Sequence, residues 1–329
     1  MVSRRQLFII ASLFVSVASL LLILRDVPMS EVLAAMRGAD ARYLLAAVFI
    51  ASPLALFSRG LRWWGLLSRR LPLNQAAHMV NIMFLGNQLP LRLGEVARGM
   101  LAARAGVPLV TSATSIVVER LIDTLVVVLL IALSLSQLPD APPEVSESAA
   151  LAGIAALAGF LLLLGLAAAP RFAERTLGRI RTALPLLKRL PLESAFAYLL
   201  DGLQPLTDLR SLLNSLFWTA LAWAFSLLHY FLLHQALGIS PDSLYGFPLG
   251  VSLAALSLAL PVSIAGLGPF EASIVLSGSL VGVSALESLS LGFLLHGLTV
   301  FSYAMWGSIG LLALGVSPAY VFARHEPPV

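Results

Sequence analysis

The chain has 329 residues, of which 59% are hydrophobic, 12% are charged and none is cysteine, with a formal net charge of +4. Soluble domains carry about a quarter charged residues, so an ordinary soluble fold is excluded, and the lack of thiols rules out disulfides, thiolate catalysis and Cys-based metal sites. The surplus positive charge lies beside apolar runs, where the cytoplasmic bias of Lys and Arg accounts for it without a nucleic-acid partner.

At least six apolar runs reach about 18 residues, enough to cross roughly 30 Å of hydrocarbon. The expected fold is therefore all-α: a polytopic helical membrane protein whose backbone is satisfied within helices wherever lipid faces it. Arg4 and Arg5 followed by Leu7 to Leu24 resemble a signal peptide, with Ser16, Val17 and Ala18 as a passable cleavage site. The apolar run continues past that site, so it is read as a retained first helix. Full spans are expected at about 6–24, 42–60, 108–137, 149–169, 212–237 and 288–316. Arg59 and Arg62 followed by Trp63 and Trp64 read as an ordinary interfacial anchor with no functional role.

Two runs, near 76–89 and 269–283, are too short to cross, and each adjoins a Gly/Pro-interrupted break. The first break holds Asn87, Pro90, Arg92, Gly94, Glu95 and Arg98; the second holds Pro261, Gly266, Gly268, Pro269 and Glu271. The segments beyond the breaks, near 95–106 and 245–260, are short as well. Both regions read as re-entrant helical hairpins that enter and leave on one side. Paired interrupted segments in corresponding halves point to a transporter's binding site.

Loop charges sharpen the topology. Asp140, Glu144 and Glu147 occupy 138–148 without a basic residue, placing that loop outside; Arg171, Arg175, Arg179, Arg181, Lys188, Arg189 and Arg210 place 170–211 in the cytoplasm. Both termini, with Arg4, Arg5 and Arg324, follow it there. If each broken region crossed once, 170–211 could not share a side with Arg62, Arg69 and Arg70. With two hairpins, the first opens from the cytoplasm, the second from outside, and the halves at about 1–137 and 149–316 have opposite orientations. Glu95, Gly106 and Val107 recur 176 positions later as Glu271, Gly282 and Val283; Arg120 stands opposite His296, and Asp40 and Arg42 recur as Asp208 and Arg210. An inverted repeat is expected. The 170–211 linker, which contains Pro185, Pro191 and Pro205, reads either as short amphipathic helices on the inner leaflet or as a solvated connector.

Arg92, Glu95, Arg98, Glu119, Arg120, Asp123 and Glu271 fall in or beside embedded segments. Unpaired, seven such charges would cost on the order of 20 kcal/mol at roughly 2.5–3.5 kcal/mol each, so they must pair or line a wet cavity. Glu119 and Asp123, four apart, share a helix face with Arg120 close by. One reading is an internal ion-pair cluster, Arg92 and Arg98 against Glu119 and Asp123, that pins this helix to the first hairpin. The other is an anion site of Asn87, Arg92, Arg98, Arg120 and His296, aided by inward-pointing helix N-termini, with substrate competing against the acidic partners. Glu95 and Glu271 are either helix-dipole stabilisers worth about 0.3–1 kcal/mol or gating and coupling carboxylates, together with Glu119 and Asp123. His229 and His234 are five apart and do not form a metal pair; His78 reads as a polar hairpin residue. With no zinc-ligand spacing, P-loop or nucleophile elbow, no metal, cofactor or nucleotide hydrolysis is expected.

The segment from Asn87 to Arg104, the segment from Glu119 to Asp123 and the segment from Gly266 to Glu271 resemble the lysylphosphatidylglycerol synthase transmembrane-region family. The likeness covers nearly the whole chain, and its first motif, Asn-x-x-Pro-x-Arg-x-Gly-Glu-x-x-Arg, is fairly specific. Ala265 stands where the second motif commonly has a glycine, and His296 where an arginine commonly stands, which makes that position pH-sensitive. The resemblance implies flippase-like translocation of membrane lipid in a bacterial or archaeal cytoplasmic membrane. It also implies that the soluble synthase domain of bifunctional relatives is missing, since the chain ends about a dozen residues after its last span. The expected function is a translocase for a lipid with an anionic or zwitterionic head, Arg92, Arg98 and Arg120 holding the head in a groove between the hairpins. The alternatives are a membrane transferase with Glu95 or Asp123 as base, and a non-transporting partner of a separate lipid synthase. Oligomeric state is not legible.

Overall fold

All described secondary structure is helical, as a lipid-facing backbone requires. The computed structural model describes residues 4–25, 27–88, 93–138, 143–183, 203–259 and 266–318, together with 196, 200 and 263. Pro90, Arg92 and Pro261 of the two breaks lie outside the described residues. The helices are α1 (Arg4–Ile23), α2 (Met29–Arg37), α3 (Ala41–Ala46), α4 (Ser52–Leu66), α5 (Leu73–Gly86), α6 (Gly94–Arg104), α7 (Leu109–Gln137) and α8 (Pro143–Ala168). They continue as α9 (Pro170–Ala183), α10 (Leu209–Leu237), α11 (Gly246–Ala259), α12 (Pro269–Ser279) and α13 (Ala285–Ala313). Among the described residues, four stretches are long and apolar enough to cross a membrane: Ala41–Leu66, Ser146–Ala168, Leu209–Leu237 and Ala285–Ala313. α7 is equally long at 29 residues but carries Glu119, Arg120 and Asp123 within it.

The stretch Ala41–Leu66 joins α3 to α4 through a π turn at Ala47–Ala51. Pro53 follows directly; its ring lacks an N–H and crowds the preceding turn, which is a usual cause of such a widening. α4 runs to Leu66, six residues past the end expected from hydropathy, so Arg59 and Arg62 lie inside it rather than at its edge. Asp40 caps α3 by accepting the Arg42 N–H, and Asp208 caps α10 by accepting the Ser211 N–H. The Arg42 guanidinium first, and then the Arg42 N–H, hold the Asp40 carboxyl below the ordinary Asp value, and the Ser211 N–H and hydroxyl do the same for Asp208. Each cap is therefore fully present above the ordinary carboxylate pKa and fades only as pH falls through the lowered one.

Two sets of three helices match in order and length. α5, α6 and α7 have 14, 11 and 29 residues; α11, α12 and α13 have 14, 11 and 29. The sets pack crosswise: α4 lies along α10, α5 against α13, and α11 against α7. Within each set the two short helices pack on one another as a helical hairpin. At 1.5 Å per residue they are only about 21 and 17 Å long, short of the roughly 30 Å hydrocarbon thickness. The two feet of the second hairpin are tied together, Asp242 donating its N–H to the Val281 carbonyl at 3.0 Å. At the base of the first, Leu71 and Val107 share one apolar cluster with Trp63 and Leu67. Outside these sets α8 packs on α7, and α9 forms at the start of the expected linker with Ala173 buried.

The first hairpin turns at Gly94, where α6 passes directly over the end of α5. A methyl group there would overlap the Met83 carbonyl and the Asn87 side chain. Gly94→Ala should therefore overpack the tip and cost about 1–3 kcal/mol. Its apparent melting temperature in detergent should drop clearly below the parent's; an unchanged value would mean that the tip opens without needing the close approach.

Candidate functional site

α4 brings Arg59 and Arg62 to neighbouring positions, three residues apart, and sends them to different partners. The Arg62 side chain is 1% exposed. Its Nη1 and Nη2 donate to Asp123 Oδ1 and Oδ2 at 2.7 and 2.9 Å, and its Nε and Nη2 both reach Glu119 Oε1 at 3.3 Å. Thr219 Oγ1 of α10 accepts a further bond at 3.3 Å. The fork geometry matches a carboxylate in two places at once, the arrangement in which Arg pairs most strongly. Arg98 of α6 donates to the other Glu119 oxygen at 2.5 Å and lies 4.6 Å over the Trp63 ring. Trp63 is in turn fixed by donating its indole N–H to Ser115 Oγ at 2.9 Å.

Two arginines and two carboxylates thus form a neutral buried network joining α4, α6, α7 and α10. This corrects the interfacial-anchor reading of Arg62. The helix continues around it, and its charge is neutralised by acids 57 and 61 positions away. Arg98 and Glu119 are sealed inside the network.

A second kind of contact occurs twice, once in each helix set. Glu95, in the first turn of α6, meets Arg120 of α7, Oε1 to Nε at 3.3 Å. Glu271, in the first turn of α12, meets His296 of α13, Oε1 to Nδ1 at 2.7 Å. Both pairs sit at hairpin tips and are related by the same offset of 176 positions. Their surroundings differ. Arg120 and Glu95 are 46% and 34% exposed, whereas His296 and Glu271 are 8% and 0% exposed. The Glu271 second oxygen also accepts the Gly268 N–H at 2.7 Å, where Gly268 has φ +90° and abuts Ser16 and Ser19 of α1. Gly266 is likewise at positive φ, and Pro269 begins α12. Asn87 ends α5, its Oδ1 buried with no hydrogen-bond partner among the described residues.

The third feature is a cavity of about 130 Å³ where α4 and α10 meet α11, α12 and α13. Arg59, Ser226, His229, Thr299 and Tyr303 supply its polar wall; Leu258 and Phe270, on either side of the second break, supply part of its apolar one. The sequence assigns Arg59 no role, and it singles out His229 only to exclude a metal pair with His234. No group of His, Asp and Glu fit for a metal ion occurs among the described residues.

A family model described as Lysylphosphatidylglycerol synthase TM region matches residues 9–307. The chain belongs to that family. A search of the curated proteins finds no match for it. The matched region takes in both hairpins, the charge network and the cavity, and with the spanning helices it identifies a membrane protein.

Removing one member of a buried ionic network leaves an uncompensated charge, typically a loss of about 3–5 kcal/mol. Arg62→Met should thus lower the apparent melting temperature sharply, while Arg98→Met combined with Glu119→Gln should lose less than the two single changes added together. Additive losses in thermal denaturation would show that the arginines and acids are not coupled.

Proposed function

We propose that the protein translocates an amphiphilic lipid between leaflets, the two hairpins entering the bilayer from opposite faces as the gates of an inverted repeat. The observation that carries this reading is the carboxylate–base contact made twice, half-exposed at one hairpin tip and sealed at the other. A half-exposed ion pair within a membrane-embedded region requires water around it. Two equivalent tips in unequal states correspond to a carrier open at one side and closed at the other. Exchange of the two states would open the Glu271–His296 side and close the Glu95–Arg120 side, which alternates access to whatever lies between them.

The neutral network of Arg62, Arg98, Glu119 and Asp123 gives this motion a rigid support, since it ties α6 and α7 to the central α4 and α10. Lipid tails would remain in the bilayer while the head passes the polar interior. The protein itself performs no covalent chemistry in this reading. It works in a bacterial or archaeal cytoplasmic membrane with the start of α1 on the cytoplasmic side, and the charged head of a membrane lipid is its partner. The family description names a synthase, which favours as the second reading a supporting role beside a separate lipid-synthesising enzyme.

Reconstituted vesicles carrying fluorescent phospholipid test this directly. Protein should make inner-leaflet label accessible to an impermeant quencher much faster than in protein-free vesicles. Glu95→Gln and Glu271→Gln should each slow the process at least tenfold, and Arg42→Ala, on the exposed end of α3, should leave it unchanged. Wild-type vesicles that scramble label no faster than empty ones would overturn translocation.

A further inference from the structure

Arg59 is the arginine that the ionic network leaves over. Its Nη1 donates to the Ala55 carbonyl at 3.2 Å and its Nη2 to Ser226 Oγ at 3.1 Å, and the guanidinium lies 5.7 Å from the Phe84 ring. Among the described residues it makes no ion pair. The nearby acids are engaged elsewhere: Asp123 by Arg62, Glu119 by Arg62 and Arg98, and Glu95 by Arg120. One carbonyl and one hydroxyl are weak compensation for a full positive charge inside a spanning helix. Packing alone does not explain it, because Arg59 borders the cavity. A cation so placed lacks an anion.

Helix α10, packed against α4, carries the second requirement. His229 is 7% exposed, and its Nδ1 lies 3.1 Å from the Ala47 carbonyl. A carbonyl only accepts, so Nδ1 bears the hydrogen, and in the neutral ring Nε2 is left as an acceptor. That Nε2 has no hydrogen-bond partner among the described residues, and His229 lines the same cavity as Arg59. Buried polar atoms are seldom left without a partner. A cation with hydroxyl groups beside it thus borders the cavity, together with a histidine whose acceptor nitrogen is buried and has no partner among the described residues. The complement of such a cavity is an anion that also carries an O–H or N–H donor.

Size narrows the class. A volume of about 130 Å³ resembles the roughly 150 Å³ of a cavity that holds one benzene and falls below the roughly 300–1,000 Å³ of pockets for larger ligands. A phosphate with a short polyol fits such a space. Leu258 and Phe270 place the cavity at the tip of the second hairpin, where a head group would sit while its tails remain among the outer helix faces.

We infer that the Arg59 cavity binds a small phosphorylated lipid head, a phosphate monoester or an unsubstituted glycerol phosphodiester. The phosphate oxygens accept from the Arg59 guanidinium, Ser226 keeping its own hydrogen on the Ala222 carbonyl, and a head-group O–H donates to His229 Nε2. As a step in transport the site rests on the translocation reading; as a binding site it is measurable without any transport.

The test uses the full chain in detergent, titrated with phosphatidic acid, phosphatidylglycerol, phosphatidylcholine or inorganic phosphate and followed by native mass spectrometry and thermal shift. Phosphatidic acid and phosphatidylglycerol should bind saturably, and phosphatidylcholine, whose head has no donor, at least tenfold more weakly. Arg59→Gln should weaken phosphatidic acid binding at least tenfold, with Arg59→Lys recovering part of it. His229→Phe should erase the preference for phosphatidylglycerol over phosphatidylcholine. Inorganic phosphate should displace phosphatidic acid from the wild-type protein competitively, an arm that needs no variant to fold. Wild-type binding that ignores phosphate, or an Arg59→Gln protein that binds phosphatidic acid like its parent, overturns the site. Phosphate binding as tightly as the lipid, with no gain from the tails, overturns the lipid assignment. Vesicles that fail to flip lipid while this binding pattern holds would refute translocation alone; normal flipping with unchanged Arg59→Gln binding would refute the site alone.

Discussion

Charge placed in hydrocarbon has to be neutralised where it stands, and the centre of this protein is arranged around that constraint. Four helices meet at Arg62, Arg98, Glu119 and Asp123, each supplying groups that the others require. The network is net neutral, yet removing any one member leaves its partner unpaired in a low-dielectric interior. It therefore contributes little by itself to folding free energy, but it disfavours any arrangement in which α4 and α7 are not in register. That register sets where α10 lies along α4, and so where the two hairpins stand relative to each other.

The breaks were legible because proline and glycine act locally. A helix of 14 residues that ends in Asn87 and resumes at Gly94 is written in those few positions. Pairing was legible only in part. Arg98, Glu119 and Asp123 stood out as charges in apolar surroundings, and an ion-pair cluster of them was one of the two readings, beside an anion site. Arg92, the other arginine of the cluster reading, lies outside the described residues, while the arginine seen beside Arg98 in the network is Arg62, which reads from sequence as a boundary because Trp63 and Trp64 follow it. Hydropathy sees only neighbours along the chain, whereas the acids that bury Arg62 are about two helices away. The same blindness hid the cavity: Arg59, Ser226, His229 and Tyr303 come from three helices, and none stands in a motif.

Three arginine environments now separate by what neutralises each. Arg62 and Arg98 are buried and paired with carboxylates, Arg62 with both Glu119 and Asp123 and Arg98 through Nη2 alone among the described residues. Arg120 has one carboxylate partner, Glu95, in a half-exposed site. Arg59 has a hydroxyl, a carbonyl and the Phe84 ring beside it but no carboxylate among the described residues. This gradation follows position: the sealed arginines lie at the junction of α4, α6 and α7, the half-exposed one at a hairpin tip, and the uncompensated one beside the opposite tip.

The two tips also differ chemically. Glu95 meets a guanidinium, a planar fork with several N–H donors. At the equivalent position Glu271 meets one imidazole nitrogen, and its other oxygen is held by the Gly268 N–H. The burial of the two tips follows the same division: the imidazole contact is sealed and the guanidinium contact is half-exposed. His296→Arg would set a longer side chain in a site that is 8% exposed, so the apparent melting temperature should fall through overpacking; an unchanged value would show that the second tip has room for the larger group.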